Sequence, residues 1–239
     1  MKTLRTLANL SFLSLLAFLP GCVFVMESDG SVQGTTWWRS EGIGDWVVGS
    51  GVSATAVREV AEFRALRCSG SLDVSVRVGE ERAVRVRGDD NLIERVEAVV
   101  EDGTLHIRMR SGGYRTRLPL VVEVATPALS ALALEGSGDL RVSGLSSGTF
   151  SVHLSGSGDV RGSGAVDELE VSLSGSGDIE LAELAARRAN VVSAGSGDIR
   201  VNASDELSVA LSGSGDVGYR GSPTLRKVVS GSGDVHALR

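Results

Sequence analysis

LSGSGDV at residues 154–160 and LSGSGDI at residues 173–179 are almost the same seven residues, written 19 positions apart. Their shared core, GSGD, occurs six times, at residues 136–139, 156–159, 175–178, 195–198, 213–216 and 231–234. Successive copies are 20, 19, 20, 18 and 18 residues apart. One Gly/Ser-rich tetrapeptide is typical of a flexible linker, but regular self-similarity near 20 residues indicates a solenoid in which each repeat is one coil.

The residues around each copy alternate between apolar and polar with the two-residue period of a half-buried strand. In the third copy the apolar parity consists of Leu169, Val171, Leu173, Gly175, Gly177, Ile179 and Leu181. Two short strands are therefore predicted to flank each SGSGD, with their apolar side chains in one interior. The glycines share this inward parity, which indicates a bend where either no side chain fits or φ must be positive.

A coil of 18–20 residues cannot bury its apolar face alone, so we expect neighbouring coils to stack as parallel strands about 4.8 Å apart. Stacking in this way buries one continuous core. The apolar residue at every sixth position that a left-handed hexapeptide helix requires is not found. The fold class predicted from the repeats is all-β, a solenoid of the parallel β-helix type with coils of about 18–20 residues.

The region before the repeats also has the pattern of strands. Residues 58–128 are predicted to form an N-terminal layer of strands and hairpins, and residues 129–239 the GSGD-repeat β-helix. The strongest hairpin signal is Asp102-Gly103, which separates two alternating segments.

One segment of this region aligns with the repeats. CSGSLDV at residues 68–74 matches LSGSGDI, with Leu72 in place of the second glycine and Asp73 at the position of the repeat aspartate. The first strand is therefore predicted to be a divergent coil, followed by an inserted hairpin layer. Cys68 falls on the inward face, which predicts a buried thiol without a disulfide partner.

The first 22 residues have the order of a bacterial export signal. Lys2 and Arg5 precede a short apolar stretch, and the ending Leu19-Pro20-Gly21-Cys22 resembles the lipobox of bacterial lipoproteins. We predict a signal peptide at residues 1–21 and a thioether-linked diacylglycerol on Cys22. The alternative is an ordinary secretory signal with an incidental cysteine.

Residues 22–57 are predicted to be a lipid-anchored tether, because they contain scattered glycines and no sustained period. Trp37, Trp38 and Trp46 all lie here, either as a binding or membrane-interface contact or folded back on the neighbouring domain. Val23, rather than an aspartate, follows Cys22 and favours the outer membrane, at the cell surface or in the periplasm.

Composition excludes several classes of protein. Apolar residues make up 42% of the chain, which excludes a disordered chain, while aromatic residues make up only 4%. The net charge of −6 argues against a nucleic acid partner, because phosphate binding needs a basic face.

Several motifs occur in a specific order: VVGSGV (47–52), REVAEFRAL (58–66), GDDNLIERV (88–96), VEDGTLHI (100–107) and then the GSGD repeats. In this order the chain resembles the family called putative auto-transporter adhesin, head GIN domain, over residues 47–239. The resemblance implies an exported, often lipid-anchored protein with a right-handed β-helix. It implies no established biochemical function.

Stacking would place the repeat aspartates in one column: Asp139, Asp159, Asp178, Asp198, Asp216 and Asp234. Carboxylates about 5 Å apart repel one another, so another group must offset their charge. In the leading interpretation the column is structural: it holds the turns, Arg141, Arg161 and Arg200 neutralise it, and the serine two residues before each aspartate can bond along the stack. The alternative is a Ca²⁺ site, at Asp159, Asp178 and Asp198.

No catalytic residues are predicted. The histidines His106, His153 and His236 lack metal-ligand spacing, and no serine stands in a nucleophile motif.

The function predicted is a cell-envelope lipoprotein without enzymatic activity or cofactor, acting as a binding, adhesion-like or structural module. The expected partners are the membrane, through the lipid anchor, and an envelope glycan or protein. Weak end-to-end self-association is also expected, because the last coil offers unpaired strand edges. The alternatives are a lyase-like polysaccharide-processing β-helix enzyme and a Ca²⁺-stabilised envelope assembly module.

Overall fold

The structure is a computed structural model, which describes residues 23–26, 32–35 and 46–238. The chain divides into two compact units, residues 1–45 and 46–239. In the first unit, Val23–Met26 (β1) and Val32–Thr35 (β2) form an antiparallel pair. The predicted signal peptide, Cys22, Trp37 and Trp38 lie outside the described residues.

The second unit is built almost entirely from strands, which confirms the all-β prediction. Fifteen of its strands form one large mixed sheet, and two short ones form a separate parallel pair. In chain order the elements are β3 (Val47–Val48), β4 (Ser53–Arg58), β5 (Ala65–Gly70), β6 (Asp73–Val78), β7 (Ala83–Asp89), α1 (Asp90–Ile93), β8 (Val96–Glu101), β9 (Thr104–Met109), β10 (Tyr114–Arg115), β11 (Val121–Thr126), β12 (Ala131–Gly136), β13 (Leu140–Leu154), β14 (Val160–Leu173), β15 (Ile179–Ser193), β16 (Ile199–Leu211), β17 (Val217–Arg220), β18 (Thr224–Val229) and β19 (Val235–Ala237).

The strands of the repeats pair in parallel, each with the equivalent strand of the next repeat. The residues directly after the repeat aspartates show the register, because each lies opposite the equivalent residue of the next strand. They are Leu140, Val160, Ile179, Ile199, Val217 and Val235. This register follows the spacing of the GSGD copies, so the predicted parallel stacking is confirmed. The predicted pairs of short strands are instead the two ends of longer strands, because β13 to β16 each run from one GSGD turn to the next.

The divergent coil at residues 68–74 is the first layer of the stack, as the alignment predicted. β12 pairs in parallel with β5, which places Gly136 opposite Gly70. β13 pairs with β6, which places Leu140 opposite Val74.

The segments inserted after this coil extend the sheet on its far side. β8 and β9 form the predicted hairpin, with positive φ at Asp102 (49°) and Gly103 (72°), and β9 pairs in parallel with β5. β7 runs antiparallel to both β11 and β4. The short helix α1 follows β7 and buries Leu92 and Ile93.

The core is a continuous column of aliphatic side chains from all layers of the stack. Cys68 is part of it: the residue is 1% exposed and carries a free thiol, as predicted from its inward parity. Burial raises the pKa of this thiol far above its ordinary value, so the side chain behaves as a small apolar residue.

The glycines of the repeats are required by steric exclusion and not by a positive φ. None of the GSGD glycines has a positive φ among the described residues. A Cβ on Gly175 would lie 2.0 Å from the carbonyl oxygen of Gly156, and one on Gly177 would lie 1.9 Å from that of Gly158. Each turn therefore rests directly on the turn before it, with no space for a side chain.

Leu72 occupies the second glycine position in the first layer, and the stack explains this exception. The strands beneath this layer are β9, which pairs with β5, and β11, which pairs with β6. Residues 110–120 join β9 to β11, so no GSGD-type turn lies under Leu72. The Leu72 side chain is 2% exposed and belongs to the core. The turn above still rests on its backbone, since a Cβ on Gly138 would lie 2.0 Å from the Leu72 carbonyl oxygen.

The stacking predicts that substitutions on the inward and outward faces of a turn differ in their effect on the free energy of unfolding. Gly177→Val should lower the free energy of unfolding by about 3 kcal/mol or more, because the new side chain collides with backbone that cannot move without opening the stack. The matched control Ser174→Val, on the exposed face, should change it by less than about 1 kcal/mol. Chemical denaturation measures both, and equal losses would show that the turn glycines are not in contact.

Candidate functional site

The repeat aspartates form a hydrogen-bonded ladder along the turns. The backbone N–H of each aspartate donates to Oδ1 of the aspartate in the preceding layer, over 2.8–3.3 Å. The ladder starts at Asp73, whose Oδ1 accepts the N–H of Asp139 over 3.0 Å. It includes all six residues of the predicted column: Asp139, Asp159, Asp178, Asp198, Asp216 and Asp234.

Side-chain and main-chain acceptors alternate at this point of the stack. The N–H after each aspartate donates in the opposite direction, as from Val160 to the Asp178 carbonyl oxygen over 2.9 Å. The carboxylate at each turn therefore accepts a hydrogen bond from a backbone N–H that has no main-chain carbonyl partner. This arrangement is the geometry that a turn-holding role requires.

Arginines offset part of the negative charge of the ladder. Arg161 lies 3.0 Å from the Asp159 carboxylate and 3.8 Å from that of Asp139. Arg141 lies 3.6 Å from Asp139, whereas Arg200 pairs with Glu180 over 3.0 Å. Within residues 46–238 the exposed serines before the aspartates donate through their backbone N–H groups, and no hydrogen bond of their hydroxyls is found.

The ladder does not assemble the ligand set that the Ca²⁺ alternative would use. Asp159, Asp178 and Asp198 each commit Oδ1 to an N–H donor. Across the described ranges of the chain, no group of three Asp, Glu, His or Cys side chains is arranged to hold a metal ion.

The histidines do not come together. The register aligns His106 with Arg67, Arg67 with Ala133, and Ala133 with His153, so the two histidines share a column three strands apart. At the usual strand spacing they are about 14 Å apart, too far for a shared metal ion or proton relay. His236 lies on β19, at the other end of the sheet.

A polar lock holds the segment that precedes β4, and its residues come from the motifs VVGSGV and GDDN. The Asp89 carboxylate is fully buried and accepts N–H groups from Gly51 (2.7 Å), Arg117 (3.0 Å) and Leu118 (3.1 Å). A Cβ on Gly49 would lie 2.3 Å from this carboxylate, so glycine is needed there.

Asn91 completes the lock. Its side-chain oxygen accepts the N–H of Ser50 over 2.9 Å, and its amide donates to the Val48 carbonyl over 2.9 Å. Val47 donates to the Gly113 carbonyl over 3.0 Å, which aligns β3 with β10. The lock therefore fixes the backbone on which Trp46 stands.

Trp46 lies beside an open cleft of about 590 Å³. A Cβ on Gly113 would lie 2.7 Å from two carbons of the indole, so the ring packs against this glycine. The residue is nevertheless 63% exposed, which is unusual for so large an apolar side chain. The lining also includes Tyr114, Asp73, Ser71, Arg115 and Thr116.

The polar groups of this cleft differ in whether they already form hydrogen bonds or ion pairs within the protein. Oδ1 of Asp73 takes part in the ladder, and no partner of Oδ2 is found within residues 46–238. In the same range no carboxylate lies within ion-pair distance of Arg115. Partial burial raises the pKa of Tyr114, so its phenol stays a hydrogen-bond donor at neutral pH.

The sequence indicates Trp46 as a candidate contact residue, but no local pattern marks the other residues of the cleft. β10 has only two residues and follows Ser111-Gly112-Gly113, so no periodicity marks it. Asp73 was placed in the ladder, yet its position beside Trp46 follows from the β3–β10 pair, which no local pattern predicts.

The observed molecule is an all-β protein with a ladder of stacked repeats. The chain belongs to the family described as putative auto-transporter adhesin, head GIN domain, whose model matches residues 62–223. The resemblance seen in the sequence motifs is thereby confirmed.

Solved structures of other proteins share the fold. A putative adhesin from Bacteroides fragilis NCTC 9343 is 22% identical, with a TM-score of 0.67 over 80% of this chain and 100% of that one. A putative lipid binding protein from Parabacteroides distasonis ATCC 8503 is 23% identical, with a TM-score of 0.55 over 82% of this chain and 100% of that one. No functionally curated protein matches the sequence significantly.

The polar lock predicts a specific response to acid. Burial alone would raise the pKa of Asp89, but N–H donors from Leu118, Gly51 and Arg117, with the charge of Arg117, lower it below its ordinary value. The folded state therefore gains stability from ionised Asp89 above the unfolded pKa of about 3.9, and loses it as the pH falls through the lower folded value.

Thermal melts from pH 6 to pH 2.5 measure this contribution. Asp89→Asn should be less stable than the original chain at pH 6, and the gap should narrow toward pH 2.5. Glu170→Gln, which changes an exposed carboxylate, is the matched control and should keep a nearly constant offset. A pH-independent deficit in Asp89→Asn would show that the carboxylate charge is not what the N–H groups bind.

Proposed function

We propose that this chain is a lipid-anchored protein of the bacterial cell envelope that acts without catalysis, presenting a rigid β-helical surface to an envelope partner. The observation that carries the proposal is the parallel register of successive repeats from β13 to β19, which makes one stiff scaffold. Membership in a family described as adhesin supports an exported location.

The scaffold is proposed to be a right-handed parallel β-helix. The strand ends before each GSGD form one parallel ladder, from β5 through β12 to β18, and those after it form another, from β6 through β13 to β19. Two ladders joined by a turn in every layer are what a solenoid coil requires. The right hand rests on the family resemblance.

The outer surface of the repeats is proposed as the binding face. It is regular and polar, with cross-layer ion pairs such as Arg226–Glu206 at 2.7 Å and Arg187–Asp205 at 3.2 Å. A surface fixed in this way meets a partner without ordering many side chains, which reduces the entropy cost of binding.

A non-enzymatic role is supported by the dispersal of the titratable groups. A lyase-like enzyme needs acidic and basic groups clustered in a groove, whereas the histidines here lie strands apart and the ladder carboxylates are engaged by N–H donors. The polysaccharide-processing enzyme and the Ca²⁺-stabilised assembly module are the alternatives that an experiment must separate.

Anchoring is proposed to occur through Cys22, with residues 1–21 removed. The tether predicted from the sequence extended to residue 57, but β3 and β4 belong to the second unit, so the proposed tether is residues 22–45. Within the part of the chain that the structure describes, no helix has the length and hydrophobicity that a membrane crossing needs. Residues 46–128 and 129–239 are proposed as the two parts of the exported domain.

Mass spectrometry of the protein from a bacterial membrane fraction tests the anchor. The expected N-terminus is Cys22 carrying a diacylglycerol, and Cys22→Ser should leave the protein out of the lipid-extractable fraction. A mature soluble protein that starts at another residue would contradict the anchor and leave the binding proposal standing.

Binding to envelope material tests the function. The purified full chain should co-sediment with envelope fragments, to the same extent with 1 mM Ca²⁺ or with EDTA, and should release no unsaturated sugar from envelope polysaccharides. Ca²⁺-dependent co-sedimentation and melting would favour the assembly module, whereas ultraviolet-absorbing unsaturated products would favour the lyase. Failure to bind any envelope fraction would contradict the proposal.

Weak end-to-end association remains part of the proposal. Within the described residues β18 pairs only with β16, and Val228 on it is 72% exposed. Lys227 partly closes this end, since its Nζ donates to the Val235 carbonyl over 3.2 Å. An open strand edge with little protection is a template for pairing with another chain.

A further inference from the structure

We propose that the cleft beside Trp46 is a saccharide-binding site that takes one pyranose unit of an envelope glycan. The inference deepens the proposed binding function and rests on it. Its basis is a combination of an exposed aromatic ring, an acceptor and donors around one open cleft.

The indole supplies the apolar contact. One face of a pyranose ring carries several C–H groups and is apolar, so it stacks on an aromatic side chain with little loss of hydration. Trp46 is 63% exposed, and its ring packs against Gly113. A Cβ added to Gly113 would lie 2.7 Å from the indole, so the ring contacts the backbone directly. A ring that is fixed before binding loses little conformational entropy when a ligand stacks on it.

The polar lining suits the hydroxyl groups of a sugar. Oδ2 of Asp73 can accept hydrogen bonds, the Arg115 guanidinium can donate two in a fork, and Ser71 and Thr116 can do either. Asp73 is itself held in place, because its Oδ1 accepts the Asp139 N–H over 3.0 Å. A planar apolar support with polar groups at its rim is the arrangement expected of a small-ligand site.

The composition of the lining favours a saccharide over an acyl chain. Asp73 and Arg115 are exposed, so an acyl chain that covered them would remove water from two charged side chains and offer no hydrogen bond in return. The cleft is also open to solvent, with a volume of about 590 Å³, so one sugar unit of a longer chain has room to enter it.

Calorimetric titration of the full chain, held in lauryldimethylamine oxide micelles because this detergent carries no sugar, tests the site. The probes are cellotetraose, chitotetraose and mannotetraose, with palmitate as a fourth, and each is also titrated into protein-free micelles so that the heat of partitioning is subtracted. At least one saccharide should bind, and Trp46→Ala should weaken that binding at least tenfold. Trp46→Phe should weaken it less, and Asp73→Asn, which keeps an oxygen for the Asp139 N–H, should weaken it several-fold.

Val228→Ala is the matched control, because it also removes an exposed apolar side chain, on the last strands of the stack. It should leave saccharide binding unchanged, and thermal melts verify that every variant is folded. Binding that is equal in Trp46→Ala, or binding of palmitate but of no saccharide, overturns the inference. Absence of saccharide binding with intact co-sedimentation on envelope fragments overturns this site alone, whereas loss of both overturns the proposed function as well.

Discussion

Direct contact between the backbones of successive turns is the constraint on which the rest of this structure depends. A turn that rests on the carbonyl oxygen of the turn before it, with a virtual Cβ at 1.8–2.1 Å, can contain only glycine at the contact. This constraint fixes the distance between layers, and through it the parallel pairing of strands on both sides of the turn. It also explains why a sequence so rich in glycine has a continuous core and is not a linker.

The same close approach of the turns leaves backbone N–H groups that the aspartate carboxylates accept. Where the turns touch, the main chain leaves an N–H without a carbonyl partner, and a carboxylate of the preceding layer accepts it. The cost is a row of like charges, which arginines offset at Asp139 and Asp159. The chemistry of the ladder is thus directed inward, toward the stack. The groups around Trp46, beside Asp73 at the start of the ladder, also face solvent and are less engaged.

The repeats were predictable from the sequence, because local period and long-range pairing coincide in them. The parity of Leu169 to Leu181 predicted the buried face, and the spacing of GSGD predicted the register. The inward position of Cys68 and the hairpin at Asp102-Gly103 followed from equally local signals. The sequence could not tell whether the glycines are required by lack of space or by a positive φ, because glycine satisfies both requirements.

The cleft could not be predicted, because its parts are brought together by contacts that leave no local pattern. Asp89 fixes the segment before β4 by accepting N–H groups from residues that lie 38, 28 and 29 positions away along the chain. β3 and β10 have two residues each, too few for a period. The motifs VVGSGV and GDDN therefore indicated a family before the structure gave them a physical role in placing Trp46.

The central claim, that each turn lies directly on the one before, is tested most directly by oxidative cross-linking of paired cysteines on the exposed face of the turns. Ser157 and Ser176 occupy adjacent layers, because the Ser176 N–H donates to the carbonyl of Gly156, next to Ser157. Their Cα atoms should be about 5 Å apart, within the range of a disulfide. The double variant Ser157→Cys, Ser176→Cys should cross-link within the monomer, whereas Ser157→Cys, Ser196→Cys, two layers apart, should not. Equal cross-linking of both pairs, or of neither, would contradict the stacking of the turns.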